Sequence, residues 1–145
     1  ACYPEMHPES NDFEAELKYF KMKVDAGADC AITQYFYNVD AYLSFRDLCD
    51  KAGVTVPIVP GIMPITNYAR LARFSAACGA EIPRWISKRL ESYRDDSTSI
   101  KQFGEEVVSS LCARLIEAGA PSLHFYSMNQ STAVTKLVNN LSLAK

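Results

Sequence analysis

Four short segments collect the side chains best suited to binding a small molecule. They are Tyr3-Pro4-Glu5-Met6-His7-Pro8, Thr33-Gln34-Tyr35-Phe36, Pro60-Gly61-Ile62-Met63-Pro64 and His124-Phe125-Tyr126-Ser127-Met128-Asn129. The Gln34 amide both donates and accepts hydrogen bonds, which suits a heterocycle whose edge offers both partners. His7 adds an imidazole, and Tyr3 and Tyr126 add ring faces with a polar tip. None of the four segments contains Lys or Asp, so they hold neither a Schiff-base lysine nor a metal-binding aspartate. Tight Cys/His spacing is missing as well, and no zinc or other metal site is expected. The six glycines form neither G-x-G-x-x-G nor a Walker loop.

A repeated rhythm positions these segments. Three times an amphipathic helix ends in Ala-Gly and an apolar strand follows: Ala26-Gly27 before Cys30–Tyr37, Ala52-Gly53 before Val56–Ile62, and Ala118-Gly119 before Ser122–Met128. Gly just past a helix end takes the left-handed cap conformation. The helices show their apolar stripes at Phe13, Leu17, Phe20 and Val24; at Tyr42, Phe45, Leu48 and Cys49; at Leu71, Phe74, Ser75 and Cys78; and at Ile100, Phe103, Val107, Leu111 and Leu115. Asn11 with Glu14, and Ser99 with Gln102, have capping-box spacing. A short extra helix is expected over Pro83–Tyr93, a turn at Asp95-Asp96-Ser97, and a last helix over Ser131–Leu141.

Strands alternating with helices predict an α/β fold with a parallel sheet buried on both faces. Ala1–Tyr3 reads as the end of a further strand, which makes about four βα units. A doubly wound sheet would have a Gly-rich first turn, and none is visible. A whole (β/α)8 TIM barrel takes about 250 residues. The 145 residues here match about half of one. Residues 1–145 are therefore expected to be half of a single barrel, with the chain extending upstream of this sequence. Active sites of such barrels sit at the C-terminal strand ends, where the four segments fall.

Composition narrows the partners. The net charge is −2 and the 15 Lys and Arg are scattered, so nothing invites nucleic acid. No apolar run approaches the roughly 20 residues of a membrane span. The five cysteines are odd in number and form no C-x-x-C pair. Reduced thiols in a cytoplasmic protein are expected.

Y-P-E-x-H-P, K-x-D-A-G-A, A-I-T-Q-x-F, P-G-I-x-P and H-F-Y-x-x-N occur here in this order. In these motifs, from residue 1 to about residue 141, the chain resembles the methylenetetrahydrofolate reductases. The resemblance implies a barrel that binds FAD, is reduced by NADH or NADPH, and passes the hydride to 5,10-methylenetetrahydrofolate, giving 5-methyltetrahydrofolate in one-carbon and methionine metabolism. It also implies a homo-oligomer, and that residues 1–145 are the C-terminal half of a single (β/α)8 catalytic barrel whose upstream half lies outside this sequence.

Carried over residue by residue, the resemblance assigns Tyr3, His7, Glu16, Tyr19, Lys23, Ile32 and Gln34 to the cofactor. It assigns Gln34, Arg70, Phe74, Tyr126 and Gln130 to the substrate. Gln34 would meet pterin and nicotinamide in alternation. Lys23 would face the diphosphate. Glu16 and Tyr19 replace a familiar aspartate and asparagine at the adenosine end. Arg70 and Gln130 replace a familiar glutamine and arginine, which moves the charge available to a folate tail to another wall. Phe74 also lies on an apolar stripe, so core packing is its competing role.

The general acid that opens the folate ring is expected in the upstream half, which leaves no catalytic residue in this chain. Glu5, Asp25 and Asp40 fit no such role. Two other outcomes compete: a flavin-free barrel enzyme such as an aldolase or lyase, and a non-catalytic half-barrel that associates through its open edges.

Overall fold

The structure, a computed structural model, describes residues 1–142. The elements are α1 (Phe13–Asp25), β1 (Ala31–Tyr35), α2 (Val39–Lys51), β2 (Ile58–Ile62), α3 (Tyr68–Cys78), α4 (Arg84–Ser92), α5 (Ser97–Glu117), β3 (His124–Phe125) and α6 (Ser131–Asn140). The strands pair in parallel in the order β1-β2-β3. Cys2 adds a parallel bridge on the outer side of β1: its N–H donates to Ile32 O at 3.1 Å, and its carbonyl accepts from Gln34 N at 2.8 Å. The sheet is open, with helices between successive strands, as expected of a partial (β/α) barrel.

The Ala-Gly helix ends behave as the sequence predicts. Gly27, Gly53 and Gly119 have φ of 106°, 76° and 77°, values that L side chains resist. Both capping boxes are displaced. Asp12, not Asn11, caps α1, accepting from Ala15 N at 2.7 Å. Asp96, not Ser99, caps α5, accepting from Thr98 N and Ser99 N at 3.1 Å each. In each case a carboxylate outcompetes the neighbouring candidate, because the helix N-terminus favours negative charge. The expected turn at 95–97 thus feeds straight into α5.

The strands are shorter than their apolar runs, β3 most of all. After Phe125 the chain pairs once more, through Tyr126 N to Ile62 O at 2.8 Å. It then turns at Met128 and Asn129, both left-handed, with φ of 48° and 61°.

The core lies between the sheet and helices α1, α2 and α5. Phe36 stacks on Tyr42, and Phe20 packs on Phe45. Burial of Phe36 and Phe45 is complete, worth roughly 1.5–3 kcal/mol each. The Tyr42 hydroxyl donates to Ile58 O at 2.8 Å, so its burial strands no polar group. From α5 come Val108, Leu111, Cys112 and Leu115, all buried. Phe13, Leu48 and Phe74, placed on the stripes by spacing, are exposed instead. A helix buries only the arc facing the sheet, and the flanks of a broad stripe stay outside. Burial pushes the thiols of Cys2, Cys49 and Cys112 up to about 12, which makes them unreactive packing groups. Among the described residues no helix is long and apolar enough to cross a membrane, and no group of three or more His, Cys, Asp or Glu could hold a metal.

Candidate functional site

Strand β2 delivers the chain to the loop 63–67, and three contacts hold that loop. Tyr37 Oη donates to Met63 O at 3.1 Å. Gly104 of α5 lies directly against Ile65. Asn67 caps α3 by accepting from Arg70 N at 2.8 Å. Helix α3 therefore starts at the C-terminal end of the sheet, with Arg70 and Phe74 one turn apart on it.

Four of the residues expected at the substrate meet here. Arg70, Phe74, Tyr126 and Gln130 line one shallow cavity of about 80 Å³, together with Met63 and Leu71. Phe74 is 43% exposed, so its side chain belongs to this cavity more than to the core. Its ring stacks on Tyr35 at 6.1 Å and 16°. The Tyr126 hydroxyl is committed, donating to Thr33 O at 2.9 Å; burial first of all raises its pKa. What Tyr126 presents to the cavity is therefore ring surface. Gln130 is the exposed N-cap residue of α6 and makes no side-chain capping bond. A larger cavity of about 490 Å³ opens beside this one, between α5 and α6, and shares Gln130 with it.

Gln34 lies in a separate, adjoining cleft with Tyr3, Glu5, Tyr35 and Cys78. Its Oε1 accepts from Tyr35 N at 3.0 Å, and its amino group has no partner among the described residues. The cleft, about 10 Å³, offers the space of about one water. Tyr35 forms the partition between the two spaces. Its hydroxyl shares a 2.8 Å hydrogen bond with Ser75, and its ring meets both Phe74 and Tyr126. Sequence reasoning missed this role. Alternation along β1 puts Tyr35 on the buried face with Ala31 and Thr33, and that pattern also reads as plain core.

The residues expected at the cofactor divide into two groups. Tyr3 and His7 meet edge to face, with ring centroids 4.6 Å apart. His7 Nδ1 accepts from Glu9 N at 3.1 Å, leaving Nε2 for an outside partner. Glu16 is 3% exposed. Its Oε2 accepts from Ser10 Oγ at 2.5 Å and from His7 N at 3.3 Å. The extra methylene of Glu16 thus turns inward to hold the 7–10 loop, and this carboxylate oxygen is spent there. Tyr19 and Lys23 stand one turn apart on exposed α1, with Lys23 Nζ donating to Ala1 O at 3.1 Å. Ile32 is half-buried, and its carbonyl is taken by Cys2.

The carboxyl of Glu5 is unlike the others. Its Oε2 accepts from Glu81 N at 2.8 Å. Its Oε1 is buried with no hydrogen-bond partner. Burial is the main force that pushes the group up to about 7, and the nearby Glu81 charge adds to it, against the Glu81 hydrogen bond.

The family model described as methylenetetrahydrofolate reductase matches residues 1–142. The 5,10-methylenetetrahydrofolate reductase of Buchnera aphidicola subsp. Acyrthosiphon pisum is 38% identical over 143 residues, covering 99% of this chain and 49% of that protein. The enzyme of the same name from Escherichia coli K12 is 39% identical over 131 residues, covering 90% of this chain and 44% of that protein. The chain thus spans about half the length of the curated relatives it matches. A solved protein from Clostridium thermocellum, described as binding two copies of 5-methyl-5,6,7,8-tetrahydrofolic acid, has the same fold over 98% of this chain and 51% of its own, with a TM-score of 0.59 and 20% identity. With its matched length, its parallel β/α order and its strand-end residues taken together, the chain belongs to the methylenetetrahydrofolate reductase family.

Proposed function

We propose that this chain is the C-terminal half of a single catalytic (β/α)8 barrel, and that the barrel reduces 5,10-methylenetetrahydrofolate to 5-methyltetrahydrofolate with NADH or NADPH. The observation that carries this reading is the gathering of Arg70, Phe74, Tyr126 and Gln130 around one cavity beside the Gln34 cleft. Aromatic faces and a free amide are suited to a planar, hydrogen-bonding heterocycle. The Clostridium protein of the same fold is described as a folate binder, which agrees with that class of ligand.

FAD, when bound, supplies the two-electron redox chemistry of the reaction. The residues present fit it in part. Tyr19 and Lys23 are exposed on one face of α1, an aromatic ring and a cation suited to adenine and diphosphate. Tyr3 and the open His7 Nε2 offer hydrogen bonds nearer the sheet. Glu16 does not fit a ribose contact, because its Oε2 is spent on Ser10 and His7. The roles of this chain's residues are then to bind and orient. Gln34 aligns the ring edge, Phe74 covers the ring face, and Arg70 meets tail carboxylates.

The direct test is the visible spectrum of the purified chain with FAD, alone and mixed with the complementary half. A red-shifted flavin spectrum bleached by NADH or NADPH is expected once both halves are present. A mixture that stays colourless overturns the reading.

Two variants test it further. In the assembled enzyme, Gln34→Ala removes hydrogen bonds worth about 1–3 kcal/mol, a loss on the order of 10–100-fold in folate kcat/KM. Arg70→Ala raises the folate KM more than the nicotinamide KM; equal effects on both would show that Arg70 does not face the folate.

A further inference from the structure

The segment carrying Tyr3 and His7 touches the end of helix α3 at two points. A methyl group placed on Gly79, the left-handed C-cap of α3, would lie 2.8 Å from Pro8 Cγ, so the segment packs flush on that glycine. Two residues further back along the segment is Met6, a non-glycine residue held at φ 75°. Such strain persists only where its surroundings enforce it. Glu5 beside it makes the second contact, through Oε2 to Glu81 N at 2.8 Å. The other oxygen, Oε1, is buried and unpartnered. An orphaned buried carboxylate oxygen is costly when charged, and far less so when it carries the proton.

We propose that Glu5 is a proton-sensitive positioning residue, a clamp that fixes the Tyr3–His7 segment on the end of the helix bearing Arg70 and Phe74 and thereby sets the spacing between the two walls of the site. That these are two walls of one ligand site rests on the function proposed above; the clamp itself rests on the contacts alone.

With Oε2 accepting from Glu81, the proton belongs on Oε1. The titratable groups around Glu5 are Glu81 on the 79–83 loop, Tyr35 on β1, Cys78 at the end of α3, and Tyr3 and His7 on its own segment. None of the neighbours lining the cleft is a cation that could take up the charge of an ionised Glu5. Ionisation near pH 7 therefore leaves a buried, uncompensated charge that water must reach, and the clamp loosens. Glu5 does not serve as the acid itself, since a space of about 10 Å³ admits a water and no substrate ring.

Stability follows the same proton. The folded value is raised from 4.5 to about 7. The Glu5 contribution is therefore fully present below pH 4.5 and is lost as pH rises through about 7. Glu5→Gln keeps an acceptor for Glu81 N and carries no charge, so that loss disappears.

The test follows backbone and ring resonances of the full 145-residue chain by NMR from pH 5 to 8.5, in the natural protein and in Glu5→Gln. The Glu81 amide, the Gly79 amide and the Phe74 ring are expected to shift together with a midpoint near 7, and all three transitions are lost in Glu5→Gln. Changes that do not arise from Glu5 persist in the variant and are told apart in that way. A Glu81 transition unaccompanied by Gly79 and Phe74 overturns the positioning role. A flat Glu81 response near pH 7 overturns the clamp. Failure of FAD or folate to bind the assembled barrel would count against the proposed function alone, because the resonances report without any ligand.

Discussion

Gly61→Ala is expected to lower stability by about 3 kcal/mol or more, the upper end of what overpacking costs. The reason is where the new methyl would go. Built on the β2 backbone, it would overlap the Thr33 carbonyl oxygen and lie 2.6 Å from the Tyr126 ring. The ring can swing away, but the carbonyl belongs to the neighbouring strand and cannot. Three hydrogen bonds meet at this spot: Gly61 N donates to Thr33 Oγ1 at 2.9 Å, Tyr126 Oη to Thr33 O at 2.9 Å, and Tyr126 N to Ile62 O at 2.8 Å. Any relief of the clash must spread β1 from β2 or expel Tyr126. Domains of this kind have only about 5–15 kcal/mol in total, so the loss is a large fraction of it. Urea denaturation followed by circular dichroism gives the value. Tyr126→Phe is the control: it deletes one hydrogen bond, worth about 1 kcal/mol. An alanine variant no less stable than the phenylalanine variant would show that β1 and β2 do not approach as described. Because Tyr126 lines the Phe74 cavity, Gly61→Ala should also impair the site wherever the chain still folds.

Gly104→Ala should destabilise as well, by about 2 kcal/mol, although helix propensity argues the opposite. Within a helix, alanine is favoured over glycine by about 1 kcal/mol. Gly104 lies in the middle of the 21-residue helix α5, where that gain would normally be collected. Here a methyl would overlap the Ile65 carbonyl oxygen and lie 2.7 Å from Ile65 Cβ. Ile65 is itself buried and sits in the loop that leads from β2 to α3. Relief would push that loop, and with it Met63, Arg70 and Phe74. The magnitudes decide the sign: overpacking against backbone costs about 1–3 kcal/mol or more, which exceeds the propensity gain. A raised urea midpoint in Gly104→Ala would mean that α5 stands further from the loop than this packing requires.

The two glycines show what was readable in advance and what was not. Gly61 stands in the P-G-I-x-P motif and marks a strand end, but nothing in the motif says what comes close to it. Gly104 carries no local signal at all; it looks like a weak point in an otherwise good helix. Both are explained by neighbours 28 or more positions away in the chain. The same division runs through the candidate site. The strand-end positions of Gln34 and Tyr126 were readable from motifs, whereas Arg70, Phe74 and Gln130 stand outside the motifs and were singled out only by the family resemblance. Their division into a Gln34 cleft and a Phe74 cavity was not readable, since it depends on Tyr35, whose alternation pattern is that of any buried strand residue. Glu16 was read as a residue facing outward to a cofactor, yet it is buried and bonded to Ser10 and His7.

The sequence by itself determined the alternation of strands and helices, the Ala-Gly helix ends, the parallel sheet and the family. These are local or periodic properties, set by backbone conformation at glycine and by which face of an element is apolar. Tertiary structure alone decided which caps won, where β3 stops, which face of α3 Phe74 presents and how Glu5 is held. Each of these depends on a partner distant in sequence: the Glu5 carboxyl is pushed up chiefly by burial, in a cleft whose other lining residues include Gln34, Tyr35 and Cys78, and its hydrogen-bond donor, Glu81 N, lies 76 residues away. Periodicity says that a residue is turned inward, but burial, charge and hydrogen bonding there are set by whatever the fold brings to meet it.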